Sequence, residues 1–414
     1  MRNSNIRDTA AKRFSPAVNS LKHSIGEWLP VIALTCSAFI FNTSEFIPIG
    51  LLSDTAADFR ISESHAGIMI TVYAWAVALT SLPLMLIFAK TESRRLVLGI
   101  VTLFAASHIL SGIAPDFHML MLSRMGVACA HAIFWSIVTP LAVRVAPAGK
   151  GSTALSIVVA GSSIALIVGL PLGRAIGIAV GWRVTFLIII AAIAFGVLGL
   201  LAAVLKKSPS DNNFSLRKLP ALIKTPSLWG IYLLTLVAIS GHFTAYSYIE
   251  PFLSRIAGLG NNAITVVLTL FGAVGLVGSF IFSRHYNNNV ETFFKMAVAG
   301  LCFCLLMLLP ASCTEWSAFL QCMLWGLSIN FFNLSFQSEI IRHAPQGTAV
   351  AMSIYSGIYN VGIGTGALVG GSVCDGIGIR YIGYVGGAIA LAAVIYCIRH
   401  VVPVLRRATA GAEI

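Results

Sequence analysis

Charge is what this sequence has least of. Only 10% of its 414 residues are Asp, Glu, Lys or Arg, against roughly 25% in soluble domains, while 57% are hydrophobic. With 27 Lys+Arg and 15 Asp+Glu on a 44.0 kDa chain, no water-facing surface can be assembled, which excludes a soluble globular protein as well as a disordered or collagen-like one. The eight cysteines offer neither a disulfide framework nor a zinc site. Cys36, Cys129, Cys302, Cys304, Cys322 and Cys397 sit inside apolar runs as small buried residues. Signatures of ATP coupling and hydrolysis are also missing. Gly149-Lys150-Gly151-Ser152 lacks the earlier glycine of a P-loop, and its lysine is not followed directly by Ser or Thr. No zinc-protease helix, nucleophile elbow or iron-sulfur cysteine run occurs. The expectation is a non-enzyme with no catalytic residues, no cofactor and no metal.

Long apolar runs are abundant. About twelve stretches of roughly 18 to 25 residues, each long enough to cross a hydrocarbon core as a helix, cover residues 29–52, 66–89, 96–114, 119–142, 153–175, 183–205, 228–253, 263–283, 293–310, 316–341, 348–373 and 381–402. Residues 1–28 carry Arg2, Arg7, Lys12, Arg13 and Lys22 without an apolar core or cleavage site, so they are expected to form a basic cytoplasmic tail and not a cleaved signal. Alternating the loops between two sides puts 21 of the 27 Lys+Arg on the face that holds both termini, which the positive-inside rule assigns to the cytoplasm. The net charge of +12 then follows from topology and gives no ground for nucleic-acid binding.

The longest loop, residues 206–227 with KKSPSDNNFSLRK, reads as a cytoplasmic linker between a bundle at 29–205 and a second at 228–402, with residues 403–414 a second cytoplasmic tail. The halves repeat. Arg144-Val-Ala-Pro147 is echoed by Arg342-His-Ala-Pro345, and Gly169 with Gly173 by Gly366 with Gly370, at an offset of 198 drifting to 197 residues. The expected fold is an all-α membrane protein with two six-helix bundles related by a pseudo-two-fold axis along the membrane normal. Such a repeat suits a transporter whose halves rock about a midplane site.

Ionisable residues inside the spans are few and conspicuous. Glu45 lies deep in FIFNTSEFIPIGLL, where a carboxylate costs several kcal/mol unless it is paired, protonated or facing a wet cavity; it is a candidate proton carrier or a static hydrogen-bond partner. Asn42 and Pro48 share its helical face. In span four Arg124 and His131 are seven residues apart on one face, with Trp135 a turn further. His131 is a candidate proton partner or a structural histidine, and Arg124, which needs a carboxylate or carbonyl, is a candidate for proton coupling or for a structural role.

The second half supplies neutral polar groups: His242 and Tyr246 in span seven, a stripe of Asn330, Asn333 and Gln337 in span ten, and Tyr355, Ser356, Tyr359 and Asn360 in span eleven. They suit a hydroxylated ligand or, equally, hydrogen bonds between helices. Gly169, Pro171, Gly173, Gly366 and Gly370 read as close helix packing or as a hinge, and Arg174 as a buried partner or an interfacial snorkel. Glu250 and Glu339 fall near span ends and read as interfacial.

From about residue 29 onward the chain resembles the major facilitator superfamily. Gly169-Leu-Pro-Leu-Gly173 looks like the antiporter motif of its proton-coupled drug-exporting branch, although Gly more often directly precedes Pro. Arg124 with Leu120 matches the fourth-segment motif, whose usual Gln and Gly are here Val127 and Ala128. In the loop after span two Arg94 and Arg95 fit, while Leu86 and Lys90 replace the usual Gly and Asp. FIFNTSEFIPIGLLSD, ITVYAWAVALTSLP, AHAIFWS, GLPLGR and TAYSYIEPF together resemble bacterial sugar efflux transporters of the arabinose-exporting type. That resemblance implies an inner-membrane exporter of sugars and thiogalactoside-like analogues in exchange for protons, with Glu45 and His131 at the proton and substrate site and Asn360 on the sugar; separately, a monomer is expected. Multidrug efflux on the same architecture is the alternative, and a non-transporting sugar sensor is another.

Overall fold

The computed structural model describes residues 4–88, 91–205, 225–286, 290–344 and 348–410. The expected linker lies outside the described residues except for its last three. Twelve helical segments follow one another among the described residues. The first is Ser4–Gly50, so the basic N-terminal stretch continues into the helix instead of preceding it, and a short helix, Leu52–Phe59, follows it. Next come Glu63–Ile87, Ser93–Gly112 and Phe117–Val145. The fifth joins Gly151–Ile164, a π-helical turn over Ala165–Gly169, and Leu170–Val180. The sixth joins Trp182–Val184, Thr185–Ala191 and Ala192–Val204. The seventh is Pro226–Tyr246 with Ile249–Arg255, the eighth Asn261–His285, the ninth Val290–Met307 and the tenth Glu315–His343. The eleventh is Thr348–Asp375, and the twelfth runs through Ile382–Tyr396, Cys397–Val401 and Val402–Ala410. Nine helices among the described residues are singly long and apolar enough to cross a membrane. Large apolar side chains such as Leu79, Ile87, Phe280 and Phe303 stand exposed, as lipid-facing residues must.

Two hydrophobic cores form. One draws only on residues between Val31 and Leu205; the other fills segments seven to twelve and reaches across to Ile49, Leu52, Ala66, Ile70, Ala74 and Leu170. The internal repeat reappears in the contacts. A side chain at Gly169 would meet Thr43, one at Gly173 would meet Ile47, and one at Gly177 would meet Leu51, so segment five lies directly on segment one. In the second half Gly366 meets Ser240 and Gly370 meets Thr244 and Tyr248, which places segment eleven on segment seven. Gly169 with Thr43 and Gly173 with Ile47 thus become Gly366 with Ser240 and Gly370 with Thr244, both partners shifted by the same 197 residues. Close backbone approach through small residues four apart is the usual means of packing helices in lipid, where no hydrophobic force drives them together. Gly181 and Gly378, again 197 apart, both turn at positive φ, 91° and 101°, to reverse the chain after segments five and eleven.

Pro171 sits just beyond the π-helical turn, whose widened backbone absorbs the hydrogen bond that proline cannot donate. The distal end of the molecule, away from the two ends of the chain, carries the turns after the odd-numbered segments. There the halves are joined by polar contacts: Arg174 with Glu250 and Asn261, Ser53 with Glu250, Glu63 with Arg255, and Ser64 with Asp375. Nearer the middle, Trp75 Nε1 donates to the Val361 carbonyl, 3.4 Å.

Candidate functional site

Segment one brings Glu45 to the fourth segment. Its Oε2 lies 3.7 Å from His131 Nε2, too long for a hydrogen bond and within ion-pair range, with side-chain exposures of 12% and 5%. His131 is enclosed by rings: Tyr73 edge-on at 5.8 Å, Trp135 at 6.0 Å and Phe41 at 6.1 Å between centroids. Its Nδ1 has no partner among the described residues. Asn42 is half-buried on the same helix.

Arg124 is 1% exposed and its guanidinium lies 4.5 Å above the Tyr73 ring. One of its nitrogens donates to the Ser44 carbonyl, 3.3 Å, while Nε and Nη1 find no partner among the described residues. A buried cation so sparsely bonded depends on the ring face and on the nearby Glu45. Tyr73, absent from the sequence reading, therefore touches both Arg124 and His131 of segment four. Its hydroxyl makes no hydrogen bond among the described residues. Tyr73→Phe is accordingly expected to unfold close to wild type, whereas Tyr73→Leu loses a cation–π contact worth about 1–2 kcal/mol in a desolvated site. Thermal unfolding of the two purified variants side by side measures the difference.

A second missed residue, His108, lies against Ser44, the neighbour of Glu45 in segment one. Its Nδ1 faces the Phe104 carbonyl at 2.8 Å and so carries the proton, leaving Nε2 to accept from Ser44 Oγ at 2.7 Å. Ser44 is thereby held at both its hydroxyl and its carbonyl, which fixes the rotation of segment one that turns Glu45 toward His131.

At the position 197 residues after Glu45, segment seven carries His242. Trp325 Nε1 donates to His242 Nδ1 at 3.0 Å, and Tyr246 stacks on the imidazole at 5.0 Å and on Phe271 at 5.0 Å. Tyr355 and Tyr359 meet edge-on at 5.8 Å. Tyr359 bonds the Asn333 side chain and is close enough to interact electrostatically with both Glu45 and Tyr246, so groups of the two halves face a common space. Asn360 donates to the Ser356 carbonyl, 3.0 Å, and its buried Oδ1 is unpartnered among the described residues. Ser356 itself is exposed.

The stripe in segment ten divides. Asn330 turns to the glycines Gly275 and Gly278 of segment eight, Asn333 turns to Tyr359, and Gln337 is exposed. Arg174 is a buried partner and not a snorkel, at 1% exposure. Glu250 and Glu339 are buried as well, correcting the interfacial reading: Glu250 faces Arg174, and Glu339 accepts from Tyr286 at 2.8 Å beside Arg342 and His343. Among the described residues no cluster of His, Cys, Asp and Glu could hold a metal ion.

Twelve segments in two repeated halves, joined at one end and enclosing ionisable and aromatic groups between them, define a membrane transporter built for alternating access. The sequence pattern of the Major Facilitator Superfamily matches residues 34–351, and the chain belongs to that superfamily; it is a transporter and not an enzyme. It is similar in structure to a bacterial homologue of the human lysosomal transporter Spinster. The inward-facing, unoccupied form matches with a TM-score of 0.68 at 14% identity over 92% of this chain and 96% of that one. The inward-facing, occupied form matches with a TM-score of 0.69 at 14% identity over 89% and 95%. At that identity the likeness speaks for the fold.

Proposed function

We propose that the chain exports sugars, arabinose and thiogalactoside-like analogues among them, across the bacterial inner membrane in exchange for protons, with both termini in the cytoplasm. The observation that carries this reading is the Glu45–His131 pair, set among rings at membrane depth. A carboxylate at that depth is costly unless it is paired or protonated, which points to a functional site. A proton arriving from outside neutralises Glu45, sugar leaves, and loss of the proton toward the cytoplasm restores affinity. Asn360, Asn333, Ser356, Tyr355, Tyr359 and Tyr246 supply the hydroxyl, amide and ring surfaces that a sugar uses. The sugar class itself rests on the resemblance of the sequence motifs.

The stack of His242, Tyr246 and Phe271, with Trp325 edge-on to all three, also favours a second reading, export of flat aromatic compounds. Liposomes containing the purified protein, with an imposed proton gradient, separate the two. Gradient-driven movement of labelled arabinose supports sugar export; movement of ethidium with no arabinose flux transfers the substrate to drugs.

A further inference from the structure

The distal contact contains a feature that the midplane site does not use. Ser53, just beyond segment one, places its hydroxyl between two carboxylates: Oγ lies 2.8 Å from Glu63 Oε1 and 2.7 Å from Glu250 Oε2. Its backbone N–H also points to Glu250 Oε2, at 3.4 Å. A hydroxyl has a single proton and can donate to only one of them. For both contacts to be hydrogen bonds, one carboxyl group must bring a proton of its own and donate it to Ser53.

The carboxylates belong to different halves, and each has an arginine from the opposite half. Glu250 Oε1 is 3.2 Å from Arg174, which also holds the Gly50 carbonyl of its own half and reaches Asn261 at 3.2 Å. Glu63 Oε1 is 2.5 Å from Arg255. Arg174 is 1% exposed, Glu250 5% and Glu63 8% in their side chains, whereas Arg255 is 61% exposed. Other titratable groups acting on this cluster are Asp54 from the helix after segment one, Tyr248 from segment seven, and Cys374 and Asp375 from segment eleven.

We propose that Glu63, Ser53 and Glu250 form a second proton-binding site that latches the distal end of the transporter shut. When the halves separate there, Ser53, Glu63 and Arg174 leave with the first bundle and Glu250 and Arg255 with the second. Each carboxylate then meets water and the shared proton is released to it. Closing the distal end takes one proton from that side, and opening returns it. Acidity at the distal face therefore favours the closed arrangement, independently of any proton on Glu45. The inference uses the alternating-access fold and not the identity of the substrate.

Distances between spin labels on the exposed Cys313 and on His118→Cys, one in each bundle at the distal end, test it in purified protein without substrate. The closed-to-open ratio is expected to rise tenfold for each pH unit lowered across a one-proton transition. In Glu63→Gln and in Glu250→Gln the amide satisfies Ser53 with no added proton, so the pH step disappears. In Ser53→Ala the bridge is lost and the step disappears as well. Glu45→Gln keeps it, which distinguishes this site from the midplane one. A wild type with no pH step, or a step that persists in Glu63→Gln and Ser53→Ala, overturns the proposal.

Discussion

Glu45→Gln is expected to abolish gradient-driven transport, reducing it to the level of protein-free liposomes, while leaving substrate exchange without a gradient largely in place. The glutamine is nearly the same size as the glutamate, so the packing around His131 and Trp135 survives. What is lost is the ability to exist in two charge states. A gradient does work only if the protein binds the proton with different strength in its two conformations, and a group that cannot gain or lose a proton cannot supply that difference. Exchange of labelled for unlabelled substrate needs the halves to rock but no net proton movement, so it tests folding and binding in the same variant. Full gradient-driven flux in Glu45→Gln would remove Glu45 from the coupling step.

Much of the architecture was legible because it is local. A span needs only length and apolarity, and the repeat needs only two matching strings at a fixed offset. The glycines at 169, 173, 366 and 370 were visible for the same reason, and their contacts with Thr43, Ile47, Ser240 and Thr244 turn a spacing into a close helix crossing. Facing was harder. A helix that is apolar nearly all round gives no side preference, so spacing cannot say which neighbour a polar residue meets.

Asn330 and Asn333 show the result: three residues apart, one packs on the glycines of segment eight and the other bonds Tyr359. Tyr73 and His108 were missed for a related cause. A tyrosine and a histidine in apolar runs announce themselves only when Arg124 and Ser44 are seen beside them. Glu250 was misplaced because segment seven breaks at Ser247 and Tyr248 and restarts as Ile249–Arg255, which turns the carboxylate inward to the other half. Arg174 and Glu250 are far apart in sequence, and no periodicity connects them.

A large loss of folded protein is expected from Gly366→Ala. A methyl group there meets the Ser240 carbonyl, the Thr244 amide nitrogen and the Phe243 Cβ. Two of these are backbone of segment seven, so no side chain can rotate aside and the helices must part, breaking the crossing that Gly362 and Gly370 continue. Overpacking of this kind costs about 1–3 kcal/mol, and more where nothing yields. At Gly169 the obstacle is the Thr43 side chain, so Gly169→Ala should be milder and should be relieved by Thr43→Ala. At Gly357, on the same helix as Gly366, an added Cβ would meet open space; Gly357→Ala should be neutral or gain up to about 1 kcal/mol from helix propensity.

Yields of monodisperse protein and thermal midpoints rank the set, and Gly366→Ala equal to Gly357→Ala would refute the packing argument. Gly364 gives the contrast in function. Its empty position faces the Trp75 ring and the Thr71 carbonyl of segment two, across the surface along which the halves move. Gly364→Ala pushes on a contact that must open in each cycle, while leaving the contact within the second bundle alone. It is therefore expected to fold and to be extracted like wild type, yet to lose transport, because the arrangement closed at the distal end no longer fits.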